Sequence, residues 1–389
     1  MKLRAVFCAL FLASLQMACG GGEEETPAAS TPAVNFTANQ AASIVMGQTS
    51  MTANTNAISE TEMNVPSTAF VTAGGAVVVA ERNNSRVIIF NATPTANGAA
   101  ADSVLGHAAF TDPSTGTSAT ELYNPRAAVV YGTQTFVSDF NNHRVVIYNS
   151  NATNSAAAIA IGQVSPSVGL DPNAGGGIGT TATTLRFPDG IAVAAGKMVI
   201  ADSAFNRVLL YDSIPTSSGA AASFVLGQAN LTSNTQSAAT MKGPGGVWTD
   251  GTKIAVCEPN GHRCRLWNSW PTSNGQVANI LIGQPDLTTT TSNQGGISAH
   301  SLNSPHGVAS NGTELAIADS MNNRVLYWKT WPTTSNQDAD LVFGQADFTT
   351  ATSGLSETKF NGVEGVSFSG SNLFVTDTSN HRVLIFKKQ

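Results

Sequence analysis

The chain has 389 residues, of which only 11% are charged, and 25 acidic side chains against 19 basic ones give a formal net charge of −6. Loss of an N-terminal signal would remove Lys2 and Arg4 and make the remainder more acidic. Nucleic-acid binding needs clustered Lys and Arg to displace counterions, so this composition argues against a nucleic-acid partner.

The first 40 residues have the features of a targeting sequence. Residues 1–18 join Lys2 and Arg4 to a short apolar run, which is typical of a secretory signal and too short for a permanent membrane span. The stretch L-Q-M-A-C resembles a bacterial lipobox, which implies lipidation of Cys19, although Gln16 departs from the usual pattern. Residues 19–40 are acidic and Pro-rich, which predicts a flexible tether.

We therefore expect a monomeric, exported protein of the bacterial cell envelope, an outer-membrane lipoprotein that touches the membrane only through its N-terminal lipid. The alternative is a plain cleaved signal and a soluble exported protein.

Six similar segments follow, and each places an acidic residue five positions before an Arg that begins an aliphatic run. A short strand and a Gly-containing turn precede each segment, and an aliphatic-x-Gly-Gln/His strand follows the first five. Strands joined in this way form an antiparallel meander. The run after each Arg is apolar on both faces, so we expect that strand to be buried on both sides. The acid and Arg pairs are Glu81/Arg86, Asp139/Arg144, Asp202/Arg207, Glu258/Arg263, Asp319/Arg324 and Asp377/Arg382.

One extra copy of the aliphatic-x-Gly-Gln motif, at residues 44–52, precedes the first repeat, whereas none follows the sixth. This arrangement predicts an all-β fold over residues 41–389, a six-bladed β-propeller of four-stranded antiparallel blades. The N-terminal strand, at about 43–49, is expected to complete the last blade and close the ring. The V-A-D-x-x-N-x-R-V core and the P-x-G-V-A lead-in resemble NHL repeats over about residues 43–387.

The repeated acid and Arg pairs are the most conspicuous charges, but their repetition favours a structural role. We expect exposed ion pairs that join adjacent hairpin turns and contribute little energy each. His143, His262 and His381 precede the Arg where other copies have Ser or Asn, so we interpret them as polar turn residues. His107 replaces the Gln of the Gly-Gln motif and is also interpreted as structural.

One set of equivalent positions varies from blade to blade. These residues begin the innermost strands, which open on the central channel of a propeller, so together they predict a ligand site at the channel mouth. A wet polar mouth without a ligand is the alternative. The positions are Ser67, Arg126, Asp189, Gly245, His306 and Glu364.

The preferred function is non-enzymatic binding of a protein, peptide or glycan at the channel face, with no cofactor. The NHL resemblance extends to a peptide-amidating lyase that holds zinc through His residues in P-H-G-like contexts, and only His306 matches that pattern here. It implies the alternative, a metal-assisted lyase or hydrolase with a divalent cation at His306, Asp189 and Glu364, and Arg126 orienting an anionic substrate. A purely structural surface-layer protein is a third class.

Cys257 and Cys264 lie on successive strands of the fourth blade, one residue outside the Glu258–Arg263 pair. In an exported protein such a close pair predicts a cross-strand disulfide. We expect it to reinforce the strand where Arg265 interrupts an aliphatic sequence.

Overall fold

The computed structural model describes residues 34–174, 178–236 and 240–389. The predicted signal, Cys19 and residues 19–33 of the predicted tether lie outside the described residues. One compact unit spans Asn35–Gln389. Among the described residues, no helix has the length and apolar character that a membrane span requires.

Six four-stranded antiparallel sheets form a ring around a central channel, which confirms the predicted propeller. Blade 1 contains β2 (Pro66–Val71), β3 (Val77–Glu81), β4 (Arg86–Phe90) and β5 (Ser103–Leu105). Blade 2 contains β6 (Pro125–Tyr131), β7 (Gln134–Asp139), β8 (Arg144–Tyr148) and β9 (Ile159–Ile161). Blade 3 contains β10 (Pro188–Ala194), β11 (Lys197–Asp202), β12 (Arg207–Tyr211) and β13 (Phe224–Leu226).

Blades 4 to 6 repeat the same order from the channel outwards. Blade 4 contains β14 (Val247–Thr249), β15 (Ile254–Glu258), β16 (Arg263–Trp267) and β17 (Ile280–Ile282). Blade 5 contains β18 (Pro305–Ser310), β19 (Leu315–Asp319), β20 (Arg324–Trp328) and β21 (Leu341–Phe343). Blade 6 contains β22 (Val363–Ser369), β23 (Asn372–Asp377), β24 (Arg382–Lys387) and the N-terminal β1 (Ile44–Met46). Short 3-10 turns follow the second strand at Phe140–Asn142, Ser203–Phe205, Pro259–Gly261, Ser320–Asn322 and Thr378–Asn380.

The N-terminal strand closes the ring, as the extra sequence motif predicts. Strand β1 pairs antiparallel with β24, with Val45 opposite Leu384. Beyond it, the backbones of Asn35 and Gln389 exchange two hydrogen bonds of 3.0 Å. The outer side of β24 is therefore paired, which removes the free edge that this strand would otherwise have.

The folded body begins earlier than residue 41, where the sequence places the end of the tether. Phe36 is buried and packs edge-on against Tyr327 and Phe343. Gln40 is also buried, and its side-chain amide donates to the carbonyl of Lys387 at 2.6 Å. An apolar ring and a satisfied amide thus fix residues 35–40 to the propeller.

The hydrophobic core lies between the blades. Each of six apolar clusters joins residues of two neighbouring blades, and the third strands, such as β8 and β12, are buried along their whole length. Burial on both faces explains why these strands are continuously aliphatic. The result is a rigid frame whose innermost strands hold the channel.

The six acid and Arg pairs differ from the prediction in their environment. All six ion pairs form, with N–O distances of 2.7–2.9 Å, but both partners are fully buried. The expectation of exposed pairs of little energy is therefore wrong. The remaining guanidinium N–H groups bind backbone carbonyls of the long links between blades, so a buried Arg organises the links that enter and leave its blade. Arg324, for example, donates to Ser301 before its blade and to Phe348 after it, at 2.8 Å and 2.5 Å.

Blade 4 confirms the predicted disulfide and adds a second cation. Cys257 lies opposite Cys264 in the β15–β16 pair, with Cα atoms 4.0 Å apart, and the two form a disulfide. Arg265 also binds Glu258, so this carboxylate contacts two arginines. Gly261 stands where blades 1, 2, 5 and 6 have an Asn that binds the acid, so in blade 4 Arg265 supplies the additional partner of this carboxylate.

Candidate functional site

The residues that begin the innermost strands form the mouth ring, defined as Ser67, Arg126, Asp189, Gly245, His306 and Glu364. Hydrogen bonds from the preceding blade hold the backbone carbonyls of four of them. Because these carbonyls are bound at the blade junctions, the backbone that carries the mouth side chains is fixed. The donors are Thr68 Oγ1 to Arg126 at 3.3 Å, Ser138 Oγ to Asp189 at 2.5 Å, Gly190 N to Gly245 at 3.1 Å and Gly246 N to His306 at 2.8 Å.

A second set of side chains, the cap residues, precedes the six repeated arginines. Each has a positive φ of 49–54° and accepts a backbone N–H from the start of the next blade's innermost strand. His143, for example, accepts the Phe187 N–H at Nδ1, over 3.2 Å. The sequence interpretation of the His residues as polar turn residues matches this geometry. The cap residues are Ser85, His143, Asn206, His262, Asn323 and His381.

The three cap histidines bind as neutral imidazoles, because an Nδ1 that accepts an N–H carries no proton. Burial lowers the pKa of each of them. His107, which lies just after β5, also binds backbone: its Nε2 lies 2.6 Å from the Asn84 carbonyl oxygen. Burial lowers the pKa of this histidine as well. Each of these four histidines thus uses one ring nitrogen to hold the backbone of its turn or of a blade junction.

His306 and Asp189 meet inside the mouth ring although they belong to blades 5 and 3. His306 Nε2 lies 3.3 Å from Asp189 Oδ2, and the two side chains are 14% and 10% exposed. Gly245 of blade 4 lies next to the imidazole, since a Cβ there would be 3.4 Å from His306 Nε2 and 3.1 Å from Pro259.

Electrostatics reinforce the contact between the imidazole and the carboxylate. Burial alone would raise the pKa of Asp189, but the charges of His306, Arg126 and Arg82 outweigh it and hold the pKa below its usual value. For His306, burial is outweighed by Asp189 and Glu364, so its pKa is raised. The pair therefore favours an imidazolium beside a carboxylate.

Arg82, which the sequence analysis did not select, completes the site. Its Nη2 lies 2.9 Å from Glu364 Oε1, and both side chains are 16–17% exposed. Arg82 directly follows the repeated acid Glu81, and the equivalent residues in the other blades form a second circle, the turn ring. The sequence contains a signal for this residue, because Arg82 has a long, positively charged side chain at a position where three other blades have Ser or Thr. The turn ring contains Arg82, Phe140, Ser203, Pro259, Ser320 and Thr378.

Arg126 has a different environment from the other mouth charges. Its guanidinium carbon lies 4.3 Å above the centre of the Phe140 ring, a cation–π contact. Phe140 in turn packs against Phe187, with ring centres 5.0 Å apart. The structure thus holds Arg126 by stacking and not by an ion pair with a neighbouring carboxylate.

Ser67 belongs to the mouth ring by its position, but its side chain is not exposed at the channel mouth. It is fully buried, and its hydroxyl lies 3.4 Å from the carbonyl of Pro125 in the next blade. Its short side chain ends at the blade junction, so the prediction that Ser67 contacts a ligand is not supported by its position. The charged part of the site consists of Arg82, Arg126, Asp189, His306 and Glu364.

The predicted metal ligands are not arranged as a metal site. His306 binds Asp189, while Glu364 binds Arg82. Across residues 34–174, 178–236 and 240–389, no three His, Cys, Asp or Glu side chains form a group that fits a metal ion. Two guanidinium groups also lie near the carboxylates that a cation would need.

Beneath the mouth ring lies a channel of about 150 Å³, lined by the innermost strands of all six blades. Its walls are mostly Gly, Ala and Val, with Phe70, Trp248 and Phe368 among the larger side chains. The charged side chains therefore form one polar layer above a narrow and largely apolar channel.

Comparison with known proteins supports the fold. No protein-family model matches the chain, and no curated protein is significantly similar in sequence. A solved protein of unknown function from Bacteroides thetaiotaomicron is 12% identical, with a TM-score of 0.53 over 88% of this chain and 75% of that one. Virginiamycin B lyase from Staphylococcus aureus is 11% identical, with a TM-score of 0.45 over 85% and 98%. A PQQ-bound aldose sugar dehydrogenase from Streptomyces coelicolor is 14% identical, with a TM-score of 0.48 over 86% and 97%. At 12% identity the similarity to the protein from Bacteroides thetaiotaomicron concerns the fold alone, and nothing is inferred from the two structures with TM-scores below 0.5.

Proposed function

We propose that the chain is a non-enzymatic binding module whose ligand, a protein, peptide or glycan of the cell envelope, docks at the channel mouth. The observation that supports this most is the contrast between the repeated positions. The acid, Arg and cap positions keep one structural role in all six blades, whereas the mouth ring places different charges at one shared opening.

The long links add a contact surface to this proposal. They start and end at the mouth face, and the buried arginines hold their backbones in place through hydrogen bonds such as Arg324 to Phe348 and to Ser301. Loops that a rigid scaffold positions are the usual carriers of recognition in propellers and related folds. The side chains of these links are rich in Thr, Ser and Asn.

The proposed location follows from the N-terminal sequence. We propose export to the cell envelope as a lipoprotein anchored through Cys19, with no other membrane contact. Metabolic labelling with a radioactive fatty acid tests this in wild type and Cys19→Ala. Label in both proteins, or in neither, would contradict the anchor while leaving the binding proposal intact.

Affinity capture tests the binding function. Immobilised wild type should retain a defined set of envelope proteins or glycans that an Asp189→Asn/His306→Gln variant loses. Lys197→Gln serves as the matched control, because Lys197 stacks on Trp270 at 4.4 Å, away from the mouth. Equal capture by all three proteins would contradict a ligand at the mouth.

A second candidate is a lyase or hydrolase at the same mouth, since an imidazole oriented by a carboxylate is a common acid and base pair. Its metal-assisted form is disfavoured, because Glu364 is bound by Arg82 and the donors do not converge. Elemental analysis of wild type and His306→Ala tests the metal-assisted form. A stoichiometric divalent metal that the variant loses would support the enzyme.

A further inference from the structure

We propose that the mouth captures the free C-terminal carboxylate of a peptide, and that Arg126 is the residue that binds it. This inference rests on the proposed binding function and specifies its ligand. It assigns a chemical class to the partner and an orientation in which the peptide ends at the mouth ring.

The charges of the mouth leave Arg126 as its open cation. Arg82 pairs with Glu364 at 2.9 Å, and His306 pairs with Asp189 at 3.3 Å. Among the described ion pairs none contains Arg126, whose buried Nε has no hydrogen-bond partner. With the His306 imidazole charged, the five charged residues of the site carry three positive and two negative groups. A ligand with one negative charge would therefore balance the charge of the site.

A carboxylate suits this environment better than a phosphate or sulfate dianion. Asp189 and Glu364 lie in the same opening and would repel a second negative charge. The planar guanidinium of an arginine binds a carboxylate through two parallel N–H···O bonds, and the Arg126 guanidinium lies 4.3 Å from the centre of the Phe140 ring, which helps to hold it in place.

Other buried polar atoms of the mouth and turn rings also lack partners. Glu364 Oε2 is an acceptor without a donor, and the Ser320 and Thr378 hydroxyls make no hydrogen bond. Buried polar atoms are normally paired, so these atoms favour a ligand that brings N–H and C=O groups next to its carboxylate. The last peptide unit of a chain carries both groups beside the terminal carboxylate.

The surface next to Arg126 is aromatic, and the link between blades 2 and 3 exposes aliphatic side chains. Phe140 contacts Phe187, and Arg186 lies 5.3 Å above the Phe187 ring while binding Asp171 of the link between blades 2 and 3. The same link exposes three aliphatic side chains, Val164, Leu170 and Ile178, at 71–80%. Apolar side chains upstream of the carboxylate would cover this surface, and this favours a peptide over a charged glycan.

Two peptide pools test the inference on the full chain. Both contain fluorescein-labelled hexapeptides randomised over aliphatic and aromatic residues, and they differ only in ending in a free carboxylate or in an amide. Wild type should retain the carboxylate pool at least 10-fold more strongly, since a charge-assisted hydrogen bond is worth about a factor of 10 to 100 in affinity. This comparison needs no variant, so a folding defect does not affect it.

Variants then locate the contact. Arg126→Gln should reduce retention of the carboxylate pool to that of the amide pool, whereas Lys197→Gln, which removes the same charge elsewhere, should leave it unchanged. Equal retention of both pools by wild type, no retention at all, or unchanged retention by Arg126→Gln would overturn the inference. Capture of oligogalacturonate in place of either peptide pool would overturn it in favour of a glycan carboxylate.

The outcomes also separate this inference from the proposed function. If Glu364→Gln or Asp189→Asn abolishes capture while Arg126→Gln does not, the mouth binds a ligand and only the carboxylate assignment is wrong. If no mouth variant changes capture, the binding function at the mouth is wrong as well. Competition with N-acetyl-leucine tests whether more than the terminal residue is bound. Complete displacement of the peptide pool would show that the mouth recognises only a small apolar acid, whereas incomplete displacement is expected for a longer peptide that also contacts the link surface.

Discussion

His306 of blade 5 and Asp189 of blade 3 meet at 3.3 Å, and Gly245 of the intervening blade 4 lies next to the imidazole. A side chain longer than a methyl group at this position would have to share the space beside the imidazole. Few contacts in a propeller join blades that are not neighbours, and this one crosses part of the channel mouth.

Gly245→Val is expected to separate this pair. The new side chain would occupy the space between His306 Nε2 and Pro259, where even a Cβ lies 3.4 Å and 3.1 Å from them. Since Asp189 is the main group that raises the His306 pKa, that pKa should fall. An NMR titration of the imidazole resonances measures it. Gly74→Ala, where an added Cβ meets only Thr72 at 3.8 Å, is the control and should leave the His306 titration unchanged.

Acid should destabilise the ring through the cap histidines. Burial lowers the pKa of His143, His262 and His381 below the ordinary value of 6.5, so the unfolded chain takes up protons first as the pH falls. Their contribution to stability is thus complete above 6.5 and is lost as the pH falls through the folded pKa values. The nearby charges are Asp171 and Arg186 for His143 and Lys242 for His262, and burial alone acts on His381.

Replacing the three cap histidines with Asn, as in blades 3 and 5, should flatten this dependence. Thermal unfolding between pH 7.5 and 5 measures it, and a difference of 1 kcal/mol corresponds to about 2 °C in a protein of this size. His306 has the opposite sign, because its raised pKa makes its contribution fall as the pH rises. It is present in both proteins and cancels in the comparison. Parallel pH profiles would contradict the role assigned to the cap residues.

Removing one buried cation should cost far more than removing an exposed one. Arg144→Met leaves Asp139 charged in a fully buried position and frees link carbonyls such as that of Thr117, so we expect a loss of about 3–5 kcal/mol. Arg186→Met breaks the partly exposed pair with Asp171 and should cost less than about 1 kcal/mol. Urea denaturation gives both free energies of unfolding. Similar losses in the two variants would show that burial does not set the energy of the repeated pair.

The start of the folded body can be tested by truncation. Removal of residues 1–34 should leave the stability of the propeller unchanged. Removal of residues 1–40 should lower it by about 2–3 kcal/mol, because the buried Phe36 ring and the Gln40 amide bond are lost. Phe36→Ala in the full chain should reproduce most of this loss. Identical melting of the two truncated proteins would place the boundary after residue 40, as the sequence alone suggested.

The repeat made the architecture predictable, because each blade repeats the same chemistry. The Asp and Arg spacing, the Gly turns and the extra N-terminal motif correctly predicted the blade count, the strand order and the closing strand β1. The paired positions of Cys257 and Cys264 on one hairpin correctly predicted the disulfide. Such features depend on residues close in sequence or at equivalent repeat positions.

The parts that sequence reasoning missed depend on side-chain reach between blades. Arg82 lies outside the position used to define the mouth, and only the length of its side chain brings it to Glu364, 282 residues away in sequence. Ser67 occupies the right position but is too short to leave the blade junction. The burial of Arg144 and its counterparts depends on how the long links fold over them, which no pattern within a repeat encodes.

The bond between Asn35 and Gln389 brings the two ends of the folded body to one place on the last blade. Joining these ends by a short linker and reopening the chain in another link would preserve every blade, since each sheet apart from the last is already continuous in sequence. A rearranged chain of this kind would therefore synthesise the blades in a different order and still place them in the same order around the ring. In the natural order the last blade is completed only when the C-terminal strand β24 joins β1, so the first strand to be synthesised is among the last to be paired.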